Sequence, residues 1–175
     1  MESQKNIKNK FERNQKALTL KPNLGISTGV STTRVVDGLI CEIKEGEWTL
    51  KTDMPQQIGG QGSAPTGGVL GRAALGSCLA TGYMLWASKL NIEIKSLEIS
   101  IEADYDDGAL FATSSAYPGY SEIRYNVHIE SSSTPKEIEA FLDKADKHSP
   151  YLDVFSRAIS CKREVKLTTS QSHAS

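Results

Sequence analysis

The stretch from Val69 to Leu90, VLGRAALGSCLATGYMLWASKL, decides how this chain is read, because it is the longest apolar helix the sequence offers. Leu75, Cys78, Leu79, Gly82, Leu85 and Trp86 recur at i, i+3, i+4 and i+7, the rhythm of one buried stripe. Ala73, Ala74, Gly76, Ser77, Ala80 and Thr81 fill much of the remaining surface. The glycines, Ser77 and Thr81 cost helix propensity, but small side chains let a neighbouring backbone come close. The least charged part, Ala73 to Ser88, is shorter than the ~20 residues needed to span a bilayer. The expectation is a buried central helix in a soluble protein.

Outward from this helix the chain reads as short strands and punctuated loops. On the N-terminal side, Asp53 to Gly68 is loop, crowded with Pro55, Gly59, Gly60, Gly62, Pro65, Gly67 and Gly68. Before it, Arg34-Val35-Val36 and Leu39 to Ile43 flank the hairpin dipeptide Asp37-Gly38, and Glu45-Gly46 precedes Trp48-Thr49-Leu50. This predicts a three-stranded antiparallel meander. On the C-terminal side, Leu97, Ile99, Ile101, Ala103 and Tyr105 alternate, as do Ile123, Tyr125, Val127 and Ile129, marking two long half-buried strands. Thr134-Pro135-Lys136-Glu137 is a capping box with proline at the first helical position. Ile138, Phe141, Leu142 and Ala145 are that helix's inward face. Ser149-Pro150 opens a further short helix, and Ile159 to Leu167 reads as a last strand.

Composition sets the outer limits. The 175 residues suit one domain with appended segments, and 38% apolar with 23% charged residues is ordinary for a globular protein. A net charge of -1 argues against a general nucleic-acid or membrane binder. Residues 1–30 form an N-terminal arm, locally basic and partly helical, with Ile7, Phe11 and Leu18 at near-helical spacing. Residues 31–167 form the domain and 168–175 a flexible tail. Met1 to Lys10 has no apolar run, so no secretory signal is visible. Three cysteines, Cys41, Cys78 and Cys161, make no disulfide framework, and the expected compartment is the reducing cytoplasm.

By pattern alone, Cys78 is a small hydrophobe on an apolar helical stripe. Its context says more. Gly59-Gly60-Gln61-Gly62-Ser63-Ala64-Pro65-Thr66, then Leu70 and Ala73-Ala74-Leu75-Gly76-Ser77-Cys78-Leu79-Ala80, resembles the loop-and-helix signature of the OsmC/Ohr family of osmotically inducible and organic hydroperoxide resistance proteins. The order of strands, loop and helices over 31–167 matches as well. The resemblance implies an α+β fold, an antiparallel sheet wrapped around a long central helix, in an intertwined homodimer with active sites at the interface. It implies that Cys78, as thiolate, attacks a hydroperoxide and becomes a sulfenic acid. A second cysteine then condenses with it, and a dithiol reductant restores both.

Two positions depart from that pattern. The family's second cysteine lies in a Cys-Pro dipeptide that here reads Ser149-Pro150, so an external thiol reductant would have to replace it. The glutamate about ten residues before the reactive cysteine, which holds an arginine, is here Gly68. The resemblance places the catalytic arginine near Arg34; the strand pattern alone makes Arg34 an exposed charge. Arg72, six residues before Cys78, reads as a surface or dimer charge on another helix face. Cys41 and Cys161 read as buried strand residues. His128, His148 and His173 have no ligand spacing, and neither a metal nor a cofactor is expected. Two functions are carried forward: a cysteine-dependent hydroperoxide reductase of the oxidative-stress response, or a non-catalytic relative that binds an apolar small molecule at the dimer interface.

Overall fold

A computed structural model describes residues 2–168. Its organising element is the long helix α2, Gly67–Leu90. Thr66 caps its start by accepting the Val69 amide, and Asn91, in the left-handed region at φ 58°, turns the chain out of its end. The buried stripe is Leu75, Leu79, Tyr83 and Ala87, stepping by one turn. Leu85, expected on this stripe, is exposed, and Tyr83 takes the inward place. A buried tyrosine requires a partner for its hydroxyl. Tyr83 Oη donates to Asp146 Oδ1 at 2.7 Å, and Tyr125 Oη donates to Asp146 Oδ2 at 2.9 Å.

One face of α2 packs on a two-stranded antiparallel sheet, β4 (Ser96–Asp104) and β5 (Glu122–Glu130). The register pairs Leu97 with Ile129, Ile99 with Val127, Ile101 with Tyr125 and Ala103 with Ile123, so both apolar rows share one face. The sheet comes close where α2 is small: a Cβ built on Gly76 would meet Ile101 Cγ1 at 3.3 Å. A second face is covered by α4 (Pro135–Asp146), which starts with the expected capping box and buries Phe141 and Ala145. The short α5 (Pro150–Ser156) follows, capped by Ser149. Between β4 and β5 the chain makes one helical turn, α3 (Asp107–Leu110), and an irregular connection.

The N-terminal arm is α1 (Glu2–Leu20), docked across the C-terminal half of α2. Phe11 meets Trp86 edge to face at 5.2 Å, Glu12 pairs with Lys89 at 3.1 Å, and Gln4 bridges both the carbonyl of Ile92 and the amide of Ile94. Trp86 also lies 4.8 Å from the His148 ring, with Lys144 above it at 5.1 Å.

The meander is present as β1 (Thr32–Asp37), β2 (Ile40–Glu45) and β3 (Trp48–Thr52), in that antiparallel order. It forms a sheet separate from β4 and β5. Every residue of β1 is exposed, and Trp48 is 71% exposed. The last expected strand is not formed. Residues 157–168 run without strand pairing, with Val165 76% and Leu167 84% exposed. Its apolar alternation is real, but a strand needs a neighbour's edge, and this segment pairs with none of the strands β1–β5. Cys161, expected to be buried, is accordingly exposed. The tail lies, from residue 169 onward, outside the described residues. No helix of the described residues is long and apolar enough to cross a membrane.

Removing one donor from Asp146 tests this core. Tyr83→Phe leaves a half-buried carboxylate with one tyrosine partner and should lower unfolding free energy by about 1–3 kcal/mol, measured by urea denaturation.

Candidate active site

The segment leading into α2 is shaped by one carboxylate. Asp53 is 1% exposed, yet its charge is fully satisfied. It accepts the amides of Met54 at 2.7 Å, Gln61 at 3.1 Å and Ser63 at 2.9 Å, and the Ser63 hydroxyl at 2.9 Å. These bonds, led by the Ser63 amide, hold its carboxyl below the usual carboxylate range against the opposing effect of burial. The loop closes so tightly that a Cβ on Gly60 would stand 1.8 Å from the Met54 carbonyl oxygen, so only glycine fits. The Asp53 amide in turn donates to Pro65 at 3.2 Å, delivering the chain to Thr66 and the start of α2. The glycine-rich spacing marked this loop; nothing in the pattern singled out Asp53 as its hub.

Cys78 lies at the start of the fourth turn of α2, partly buried. Its Sγ is 3.9 Å from Ser149 Oγ. Ser149 is 5% exposed and also caps α5, its Oγ accepting the Leu152 amide at 3.4 Å. The hydroxyl proton is therefore free to point at sulfur, where it can stabilise a thiolate or a sulfenate. Cys78 and Ser149 thus meet through the packing of α5 on α2.

Arg34 is placed elsewhere. It stands on exposed β1 opposite Glu42, and among the described residues no hydrogen bond or ion pair joins it to α2. Cys41 sits on β2, partly buried. Arg72 differs from expectation: it is half-buried, and its Nη1 donates to Tyr120 Oη at 3.3 Å. The long side chain reaches back along the helix and so escapes the angular argument that put it on the surface. Tyr120 Oη donates to the Gly68 carbonyl at 3.1 Å. Among the described residues no group of three or more metal-ligating side chains converges.

A model of the OsmC-like protein family matches residues 60–164, more than half of the chain, and takes in Cys78, Arg72 and Ser149. The chain belongs to the OsmC-like family. No curated protein matches it. Among solved structures, an OsmC-like protein of Mycoplasma pneumoniae is 18% identical, with 74% of this chain and 87% of that one covered at a TM-score of 0.63. An organic hydroperoxide resistance protein, OsmC, of Legionella pneumophila is 20% identical over 75% of this chain and 91% of that one, TM-score 0.55. An organic hydroperoxide resistance protein of Elizabethkingia anophelis is 15% identical over 75% and 89%, TM-score 0.54. At these identities the OsmC-like proteins share a fold with this chain, an α+β arrangement of antiparallel sheets around one long helix.

The loop makes a pH-dependent prediction. Because folding depresses the Asp53 carboxyl, its contribution is complete above the ordinary carboxylate pKa of about 4 and fades as pH falls below it. Asp53→Asn should lower the melting temperature by roughly 5 °C or more at pH 7. The gap between parent and variant should shrink in scans taken toward pH 3.

Proposed function

We propose that this OsmC-like protein reduces hydroperoxides through Cys78, as a homodimer, with an external thiol in place of a resolving cysteine. The observation that carries the reading is the 3.9 Å approach of Cys78 Sγ to Ser149 Oγ, the two positions that the family's chemistry joins. The hydroperoxide resistance proteins that share the fold support a peroxide-related role. In the proposed reaction the Cys78 thiolate attacks the outer peroxide oxygen, the O–O bond breaks, and the departing alkoxide takes a proton to leave as an alcohol. Cys78 is now a sulfenic acid. One external thiol condenses with it, releasing water and leaving a mixed disulfide. A second thiol attacks that disulfide and frees Cys78.

The homodimer is supported by what a single chain leaves uncovered. Trp48, Leu50 and Val35 on the meander, and Ile159, Val165 and Leu167 on the C-terminal segment, are all exposed. Large apolar side chains left open on two strand-like segments are what a partner's strands would cover. In the proposed assembly a partner covers these segments, and Arg34 of the partner subunit supplies a cation to Cys78, whose one hydrogen-bond partner among the described residues is Ser149. Light scattering at micromolar concentration should give twice the chain mass; a stable monomer would remove this arrangement and the role of Arg34 with it.

A second reading is favoured by one observation. A cavity of about 990 Å³ beside the start of α2 does not include Cys78 in its wall, as suits a relative that binds an apolar molecule without turning it over. Peroxide challenge separates the two. Under the first reading, an organic hydroperoxide adds one oxygen to Cys78 in the absence of thiol, and excess peroxide inactivates the protein by overoxidation. Ser149→Cys should then form a bond to Cys78, since a disulfide needs sulfurs about 2 Å apart and the two positions already touch. Inactivation should slow several-fold, and non-reducing mass analysis should find the cross-link. A Cys78 that stays unmodified supports the second reading.

A further inference from the structure

The cavity beside the first turns of α2 has a chemistry that the thiol reading does not use. Its wall is largely apolar and aromatic, with Met54, Leu75, Leu110, Leu152 and Phe155 around it, and Arg72 is the one cation in the wall. A volume of about 990 Å³ is at the upper end for small-molecule sites. Arg72 is half-buried and has no carboxylate within ion-pair distance among the described residues. Its one protein acceptor there is Tyr120, so most of its N–H groups are uncommitted. The wall also holds Gly67 and Gly68, whose amides open the 24-residue helix α2 and have no acceptor one turn back.

Gly68 explains why the guanidinium is open. A Cβ there would have Arg72 Nη1 at 3.6 Å and Tyr120 Oη at 3.7 Å, ordinary contact distances. A glutamate at 68 would sit one helical turn before Arg72 and pair with it. With glycine, that place beside the guanidinium is left for another carboxylate. Three acids line the same wall. Asp106 is engaged by the Gly108 amide at 2.7 Å, and Glu122 pairs with Arg124 at 3.2 Å. Asp107 remains, and it disfavours a ligand carrying a second negative charge.

We propose that this cavity binds an amphipathic monocarboxylate, its acid group on Arg72 and the Gly67–Gly68 amides and its chain along the apolar wall. The site is independent of Cys78 reactivity, since Cys78 is not part of the wall.

Isothermal titration of the full chain with decanoate, and with decanol as the uncharged match, tests it. Decanoate should bind and decanol should bind at least ten-fold more weakly. Arg72→Gln should weaken decanoate by about ten- to a hundred-fold, the worth of a charge-assisted hydrogen bond. Gly68→Glu should do the same by supplying an internal carboxylate, and because it replaces a helical glycine it should not unfold the protein. Cys78→Ser should bind decanoate like the parent, which separates failure here from failure of the peroxide reading. Equal binding of acid and alcohol, or parent-like affinity in both Arg72→Gln and Gly68→Glu, would overturn the proposal. So would a folded dimer that takes up no decanoate, which would mean that a second copy of the chain fills the cavity.

Discussion

A helix as apolar as α2 must be covered on most of its circumference, and the fold is a solution to that constraint. The β4–β5 sheet covers one side, with Gly76 conceding the space that Ile101 takes. The α4 and α5 helices cover another, and α1 lies over the C-terminal half. These layers come from different parts of the sequence, so α2 is what makes them one body. The Tyr83–Asp146–Tyr125 network ties three of the elements together at the centre. Desolvation first, and then the shared carboxylate, push the Tyr125 hydroxyl up to about 12 and raise that of Tyr83 as well. Both hydroxyls therefore keep their protons, and remain donors to Asp146, at neutral pH.

Covering α2 also builds the functional end of the molecule. The turn that admits α5 against α2 puts Ser149 on Cys78. The loop that Asp53 gathers sets Thr66, and hence the register of the helix on which both Cys78 and Arg72 stand. Cys78 and the cavity are adjacent but distinct: Leu75, one turn before the cysteine, and Leu152, one turn into α5, belong to the cavity wall. A ligand there would lie against the same two helices whose contact positions the thiol.

How much of this was legible depends on whether a residue's environment is local. The helical character of α2 with Leu75 and Leu79 inward, the paired alternation of β4 and β5, the Thr134 capping box and the Ser149–Pro150 start follow from neighbours a few positions away, and the structure has them. Tyr83 was missed because its inward place depends on Asp146, 63 positions later. Asp53 was missed because its partners are backbone amides, which leave no mark in a pattern of side chains. Arg72 was misplaced because spacing gives the direction of a Cα–Cβ bond and not the reach of a guanidinium. The unformed strand at Ile159–Leu167 marks where local pattern stops: alternation reports that a segment suits a sheet, while forming one depends on a partner strand's edge.

The stacking around Trp86 has one more consequence. The chain has two tryptophans, and Trp48 is open to solvent. Trp86 is enclosed by a phenyl ring from the arm and an imidazole from the residue next to Ser149. Its indole is thus an intrinsic fluorophore positioned at the junction between arm and body. Undocking of α1 would expose it to water and red-shift its emission, whereas loss of β1–β3 packing would act on Trp48 alone. The protein carries its own optical label for the one appended element whose purpose lies outside the family's common domain.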